Sequence, residues 1–78
     1  VSTAKIDKLV RMANQIGEFF APMTEGEGSR GVATHLKKFW TPKMISEIIS
    51  YSDSGRAGLN RMAASGVAAL KQEAEVGA

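Results

Sequence analysis

No cysteine occurs anywhere in the 78 residues. That removes disulfide staples, thiolate metal sites and cysteine-ligated iron–sulfur clusters from consideration, and it is compatible with a cytoplasmic location. No apolar run approaches the roughly 20 residues that span a bilayer. The first residues also lack the basic start, apolar stretch and small-residue cleavage pattern of a secretory signal, so the expectation is a soluble chain with no membrane partner. An excess of one charge is missing too: ten Lys and Arg stand against eight Asp and Glu. A nucleic-acid binder of this size carries a denser basic stripe. Size sets a further limit, because a chain this short buries only about 60% of the surface that its unfolded form exposes. One domain over residues 1–78 is expected, either marginally stable alone or drawing stability from a larger partner.

What is present reads as all-α, a small domain of about four short helices. Ile6, Leu9, Val10, Ala13, Ile16 and Phe20 recur at spacings of three and four and share one helical face. Met12 and Phe19, seven residues apart, add a second apolar strip beside it, and so wide a face can touch two neighbours. Ser2 or Thr3 suits the N-cap, and Pro22 ends the helix by pushing Ala21 out of the helical region. The stretch 24–31, with Gly26, Gly28 and Gly31 among Glu25, Glu27 and Arg30, has no apolar period and reads as a mobile loop. It is no phosphate cradle: the Walker spacing is missing and two glutamates would repel the ligand.

Ser29 suits the cap of a second, short helix carrying Val32, Ala33, Leu36, Phe39 and Trp40. Thr41 then suits an N-cap and Pro42 the first position of a third helix with Met44, Ile45, Ile48 and Ile49 inward, running out between Tyr51 and Gly55. With almost nothing between them, these two helices must form a tight corner at Thr41-Pro42. Gly55 and Gly58 bracket a turn. Asn60 suits the cap of a fourth helix with Met62, Ala63, Gly66, Val67, Leu70 and Ala74 along one side, and Leu59 and Ala63 suit a weak staple at its start. Gly66 and the alanines give that helix a smooth surface for close approach, and the tail 75–78 is expected to fray.

Reactive chemistry is hard to build from these residues. His35 is the single histidine, with no second His or Cys to complete a metal site and no nucleophile or orienting acid beside it. Glu18, Glu25, Glu27 and Glu47 are scattered, and the expected loop would not hold two of them at the fixed separation that acid–base chemistry needs. The chain is therefore not expected to be an enzyme by itself, and catalytic, metal and cofactor-binding residues are expected to be none.

Attention falls instead on the corner from His35 to Met44. Adjacent residues on a helix point about 100° apart, so Phe39 and Trp40 either close the small core together or divide the work. In the second case Trp40, with Met44, is expected to reach out as an anchor in a partner's pocket, framed by Lys37, Lys38 and Lys43, while Phe39 serves the core, and a helix rotated by about 100° would exchange the two roles. The lysines are either solvated faces or a docking surface for an acidic patch. If neither aromatic docks, the surface is expected on the first helix around Met12 and Phe19. Asn14 interrupts a helix and is expected to tie it to the corner backbone or to face water.

Three blocks carry a resemblance: Lys8-Leu9-Val10-Arg11-Met12-Ala13-Asn14-Gln15-Ile16 followed by Phe19-Phe20, the corner from His35 to Met44, and Gly58-Leu59 leading into an alanine-rich helix that reaches Leu70. In order and spacing they resemble the delta subunit of the soluble NAD-dependent formate dehydrogenases. The pairing of the first block with Phe-Trp-x-Pro-x-Met is more specific than either alone. Where that family tends to place an acidic residue and proline after the leucine, Asn60-Arg61 stands here, which alters the cap chemistry and keeps the helix start.

The resemblance implies a small non-catalytic accessory subunit that binds the catalytic alpha subunit, with beta and gamma subunits in the same complex, and supports its assembly or stability. The complex would contain a molybdenum or tungsten bis-pyranopterin cofactor, iron–sulfur clusters, FMN and NAD, none of them bound by this chain. Carried over position by position, the resemblance gives Arg11, Asn14, Gln15, His35, Phe39, Trp40, Pro42 and Met44 as residues that contact the partner or shape the contact, and Met12 of the flanking strip joins them. Two other classes remain: a transient maturation or cofactor-loading chaperone of the same enzyme, and a helix-turn-helix DNA-binding protein. Against the last, the third helix begins Pro42-Lys43-Met44-Ile45, with few side chains able to read base edges.

Overall fold

A computed structural model describes residues 3–77 of the chain. Four helices follow one another, α1 (Thr3–Phe20), α2 (Glu25–Phe39), α3 (Pro42–Asp53) and α4 (Arg61–Gly77). The architecture is the expected all-α one. α4 sits at the centre of the packing, with its widest interface against α2 and further contacts to α1 and α3. The core gathers Leu9, Val10 and Ala13 of α1, Val32, Ala33 and Leu36 of α2, Trp40 at the corner, Ile48 of α3 and Ala63, Val67 and Leu70 of α4.

The segment expected as a loop over 24–31 is helix: α2 begins at Glu25, and its N-cap is Thr24 rather than Ser29. Thr24 Oγ1 accepts the Glu27 amide at 3.2 Å and donates to Glu27 Oε1 at 3.1 Å, a Thr-x-x-Glu capping arrangement. Glu25 and Glu27 in the first turn and Lys37 and Lys38 in the last complement the helix dipole. Two of the three glycines that argued for a loop, Gly28 and Gly31, serve contact, whereas Gly26 faces open space. A Cβ on Gly28 would meet the Met62 side chain and, at 3.1 Å, the Phe20 carbonyl, and one on Gly31 would overlap the Phe20 ring. Each glycine costs a helix about 1 kcal/mol relative to alanine, and the close seat of α2 on the end of α1 and on α4 offsets that cost. Gly66 does the same from the other side, since a Cβ there would overlap the Val32 side chain.

The other boundaries follow the sequence reading. Thr41 Oγ1 accepts the Met44 amide at 3.2 Å with Pro42 in the first turn of α3. Gly55 takes the left-handed conformation (φ 81°) just past the C-cap Ser54. Asn60 Oδ1 accepts the Ala63 amide at 2.9 Å to cap α4. Helix α4 continues through Gly77, so the tail expected to fray from residue 75 is helical there, and Ala78 lies outside the described residues. The candidate cap Ser2 also lies outside them, and Thr3 is already the first residue of α1.

Asn14 faces neither the corner nor open water. Its Nδ2 donates to the Gly58 carbonyl at 2.9 Å, its Oδ1 accepts the Asn60 amide at 2.8 Å, and Asn60 Nδ2 donates back to the Asn14 carbonyl at 3.0 Å. This reciprocal clasp fastens the middle of α1 to the start of α4. Among the described residues four exposed or half-exposed ion pairs trim the surface: Lys5–Glu47, Lys37–Glu73, Arg61–Glu25 and Lys71–Asp53. The hydrogen bond and charge of Asp53 raise the Lys71 pKa above its ordinary value.

Candidate functional site

The two apolar strips of α1 do different work. Leu9, Val10 and Ala13 are buried, whereas Met12 and Phe19 turn toward the corner between α2 and α3 and leave an open groove there. The groove has a volume of about 690 Å³. Met12, Gln15, Ile16, Phe19 and Phe20 line it from α1, His35 and Phe39 from α2, Trp40 from the corner and Met44 from the first turn of α3.

Its aromatic groups are ordered by local contacts. Phe19 and Phe20 meet edge to face at a centroid distance of 5.0 Å, and His35 and Phe39, one helical turn apart, lie 4.7 Å apart at a tilt of 43°. Phe19 is 73% exposed and Phe39 70% exposed. Two exposed phenylalanines beside one concave apolar surface are unusual in a chain whose other large apolar side chains are mostly covered, and such patches mark binding surfaces.

The expected division of labour between the two corner aromatics is reversed. Trp40 is only 7% exposed and belongs to the core, and Phe39 is the one that reaches out. A divergence of about 100° holds only while both residues lie on one helix. Instead α2 ends at Phe39, and Trp40 has extended backbone (φ −95°, ψ 146°) while its amide still donates to the Leu36 carbonyl at 2.9 Å. Leaving the helical path turns the indole inward beneath the corner, where it forms the groove floor.

Six of the expected contact residues, Met12, Gln15, His35, Phe39, Trp40 and Met44, thus share one groove. Pro42 is exposed at the start of α3 and Arg11 is exposed beside Met12, neither lining the groove. Asn14 is engaged in the clasp with Asn60 on another side of α1. Phe19 was expected only in the alternative surface around Met12, and Ile16 and Phe20 only as part of the apolar face of α1. The signal for Phe19 was its seven-residue spacing from Met12, which marked a face wider than one neighbour can cover. Among the described residues no group of three or more His, Cys, Asp or Glu side chains is placed to hold a metal ion, and no helix is long and apolar enough to cross a membrane.

Residues 8–67, from the first turns of α1 to the middle of α4, match the family model described as "NADH-dependant formate dehydrogenase delta subunit FdsD". The chain belongs to the FdsD family. The matched region of this FdsD-family chain contains every residue of the groove, the corner at Thr41-Pro42 and both asparagines of the clasp. No curated protein and no solved structure shows significant similarity to the chain.

Proposed function

We propose that this chain is a small non-catalytic subunit that binds the catalytic alpha subunit of an NAD-dependent formate dehydrogenase, alongside beta and gamma subunits, and supports its assembly or stability. The reading takes the complex as cytoplasmic. Membership of the delta-subunit family supports it. The observation that carries it from the chain itself is the groove between α1 and the α2–α3 corner, with Phe19 and Phe39 exposed on its two sides. A small core gains by linkage when such a surface is covered, because a partner that binds only the folded form stabilises it. Redox and metal chemistry belong, on this reading, to the larger subunits.

The test is purification of the dehydrogenase from cells with and without this chain, with mass analysis of every subunit that stays attached. The expected result is one copy of the chain in the purified complex and a loss of intact complex when it is absent. A chain that leaves before the mature enzyme is recovered, while still raising its yield, would identify a transient maturation or cofactor-loading chaperone. A complex of unchanged yield from which the chain is always missing would overturn both.

A further inference from the structure

Charge is distributed unevenly around the groove. Glu25, Glu47, Asp53 and Glu73 are each engaged by a cation elsewhere on the surface. Among the described residues Arg30 and Lys38 make no ion pair, and both line a shallow extension of the groove that shares Phe20, His35 and Phe39 with it. Arg11 and Lys43 are also exposed without an ion pair, each next in sequence to a methionine of the groove. Glu18, an unpaired acid near Phe19 in sequence, lines a different cavity, against the start of α4.

We propose that the groove receives an amphipathic helix of the catalytic subunit whose apolar anchors are flanked by acidic side chains; this rests on the delta-subunit reading above. The length fits: Met12 to Phe19 spans seven residues of α1, about 10 Å along the axis, the same reach as anchors at i, i+3 or i+4, and i+7 of a docked helix. The floor offers apolar contact from Ile16, Phe20 and Trp40, and the two exposed phenylalanines supply walls that close on an inserted side chain. The cations at Arg30 and Lys38 then select acidic flanks, which fixes direction and raises the association rate. Charge also argues against a second copy of this chain as the occupant. A second copy has Glu25, Glu47, Asp53 and Glu73 already held by its own cations and so offers none of them to meet Arg30 and Lys38.

The experiment measures affinity of the full chain for the purified catalytic subunit at low and high salt, comparing wild type with Phe39→Ser, Phe19→Ser, Lys38→Glu and Arg56→Glu. The last is a charge-matched control on the α3–α4 connection, away from the groove lining. Circular dichroism is expected to show that each variant keeps its helices, because the substituted positions are exposed. Each serine variant is expected to weaken binding by about tenfold or more at both salt levels. Lys38→Glu is expected to weaken it by a similar factor at low salt and to approach wild type at high salt, with Arg56→Glu within about twofold throughout. A photocrosslinking residue at position 39 is expected to capture a helical segment of the catalytic subunit with carboxylates beside its apolar face. Normal wild-type binding that neither serine variant weakens, or equal effects of Lys38→Glu and Arg56→Glu, would overturn the groove assignment while leaving the subunit reading in place. Crosslinking to a second copy of the chain, or to a segment without acidic flanks, would do the same. Absence of wild-type binding to the catalytic subunit would overturn the subunit reading, and the inference with it.

Discussion

Replacing Asn14 by alanine removes two of the three hydrogen bonds in the clasp that joins α1 to the start of α4. Two hydrogen bonds disappear, from Nδ2 to the Gly58 carbonyl at 2.9 Å and from the Asn60 amide to Oδ1 at 2.8 Å. Each is worth about 0.5–1.5 kcal/mol net, and the partly buried Asn60 amide is left without its acceptor, which places the combined loss near about 2 kcal/mol. Alanine returns up to about 0.7 kcal/mol through its higher helix propensity. The expected destabilisation is therefore about 1–2 kcal/mol, or a fall in melting temperature of roughly 4–16 °C for a domain of this size. Asn14→Asp keeps the acceptor for the Asn60 amide and puts a negative charge near the α4 N-terminus, which favours it, but turns an oxygen on the Gly58 carbonyl. It should fall between wild type and Asn14→Ala. Because Asn60 also donates to the Asn14 carbonyl and caps α4 through Ala63, Asn14→Ala and Asn60→Ala should be non-additive by at least about 0.5 kcal/mol. Urea and thermal denaturation followed by far-ultraviolet circular dichroism measure wild type, the three single variants and the Asn14→Ala/Asn60→Ala double variant. Additive losses would show that the two sides of the clasp act independently, and an Asn14→Ala melting point within about 2 °C of wild type would refute the clasp as a stabilising element.

Trp40→Ala should destabilise the free chain by about 3–5 kcal/mol, since it empties the floor of the corner, whereas Phe39→Ala should leave the melting curve within about 0.5 kcal/mol of wild type and weaken binding of the catalytic subunit by about tenfold; paired melts and affinities check both. Gly26→Ala should stabilise by about 0.5–1 kcal/mol in urea denaturation, because a Cβ there meets nothing within 4 Å and the helical backbone is kept. Gly66→Ala should destabilise despite the same gain in propensity, as its Cβ would overlap the Val32 side chain and overpacking costs about 1–3 kcal/mol; a higher melting temperature would show that α2 and α4 separate more easily than their contact implies. Lys37→Ala should change stability by no more than about 1 kcal/mol, with the effect fading in salt, because its pair with Glu73 is exposed.

The helices at Thr41-Pro42 and Asn60 were legible because their boundaries rest on local chemistry, a hydroxyl or amide cap and a proline whose missing amide costs nothing. The start of α2 was misread because composition was weighed above a cap. Thr24 and Glu27 stand three apart in the sequence as a capping pair, yet three glycines outvoted them. What Gly28 and Gly31 do depends on Met62 and Phe20, which lie on other helices, and no local pattern shows that. The same limit explains the corner. The sequence located Phe39 and Trp40 at the joint, but which one faces outward depends on where the helix stops, and a difference of one residue in that stop reverses the answer. Most of the groove was legible as separate residues. Their meeting in one groove depends on how α1 crosses the corner, a tertiary relation.

The chain contains one tryptophan, and its position beneath the corner makes the molecule its own optical reporter. Indole emission comes from a single place, the floor of the groove, at 7% exposure. A small aqueous quencher such as iodide would therefore sample how far the walls formed by Phe19 and Phe39 admit solvent, and a bound occupant would shut that access without any label being added. The α2–α4 contact made through Gly66 and Val32 lies elsewhere in the core and is silent at that wavelength, so unfolding followed by emission and by helix content would coincide only if the corner and the glycine seam come apart together.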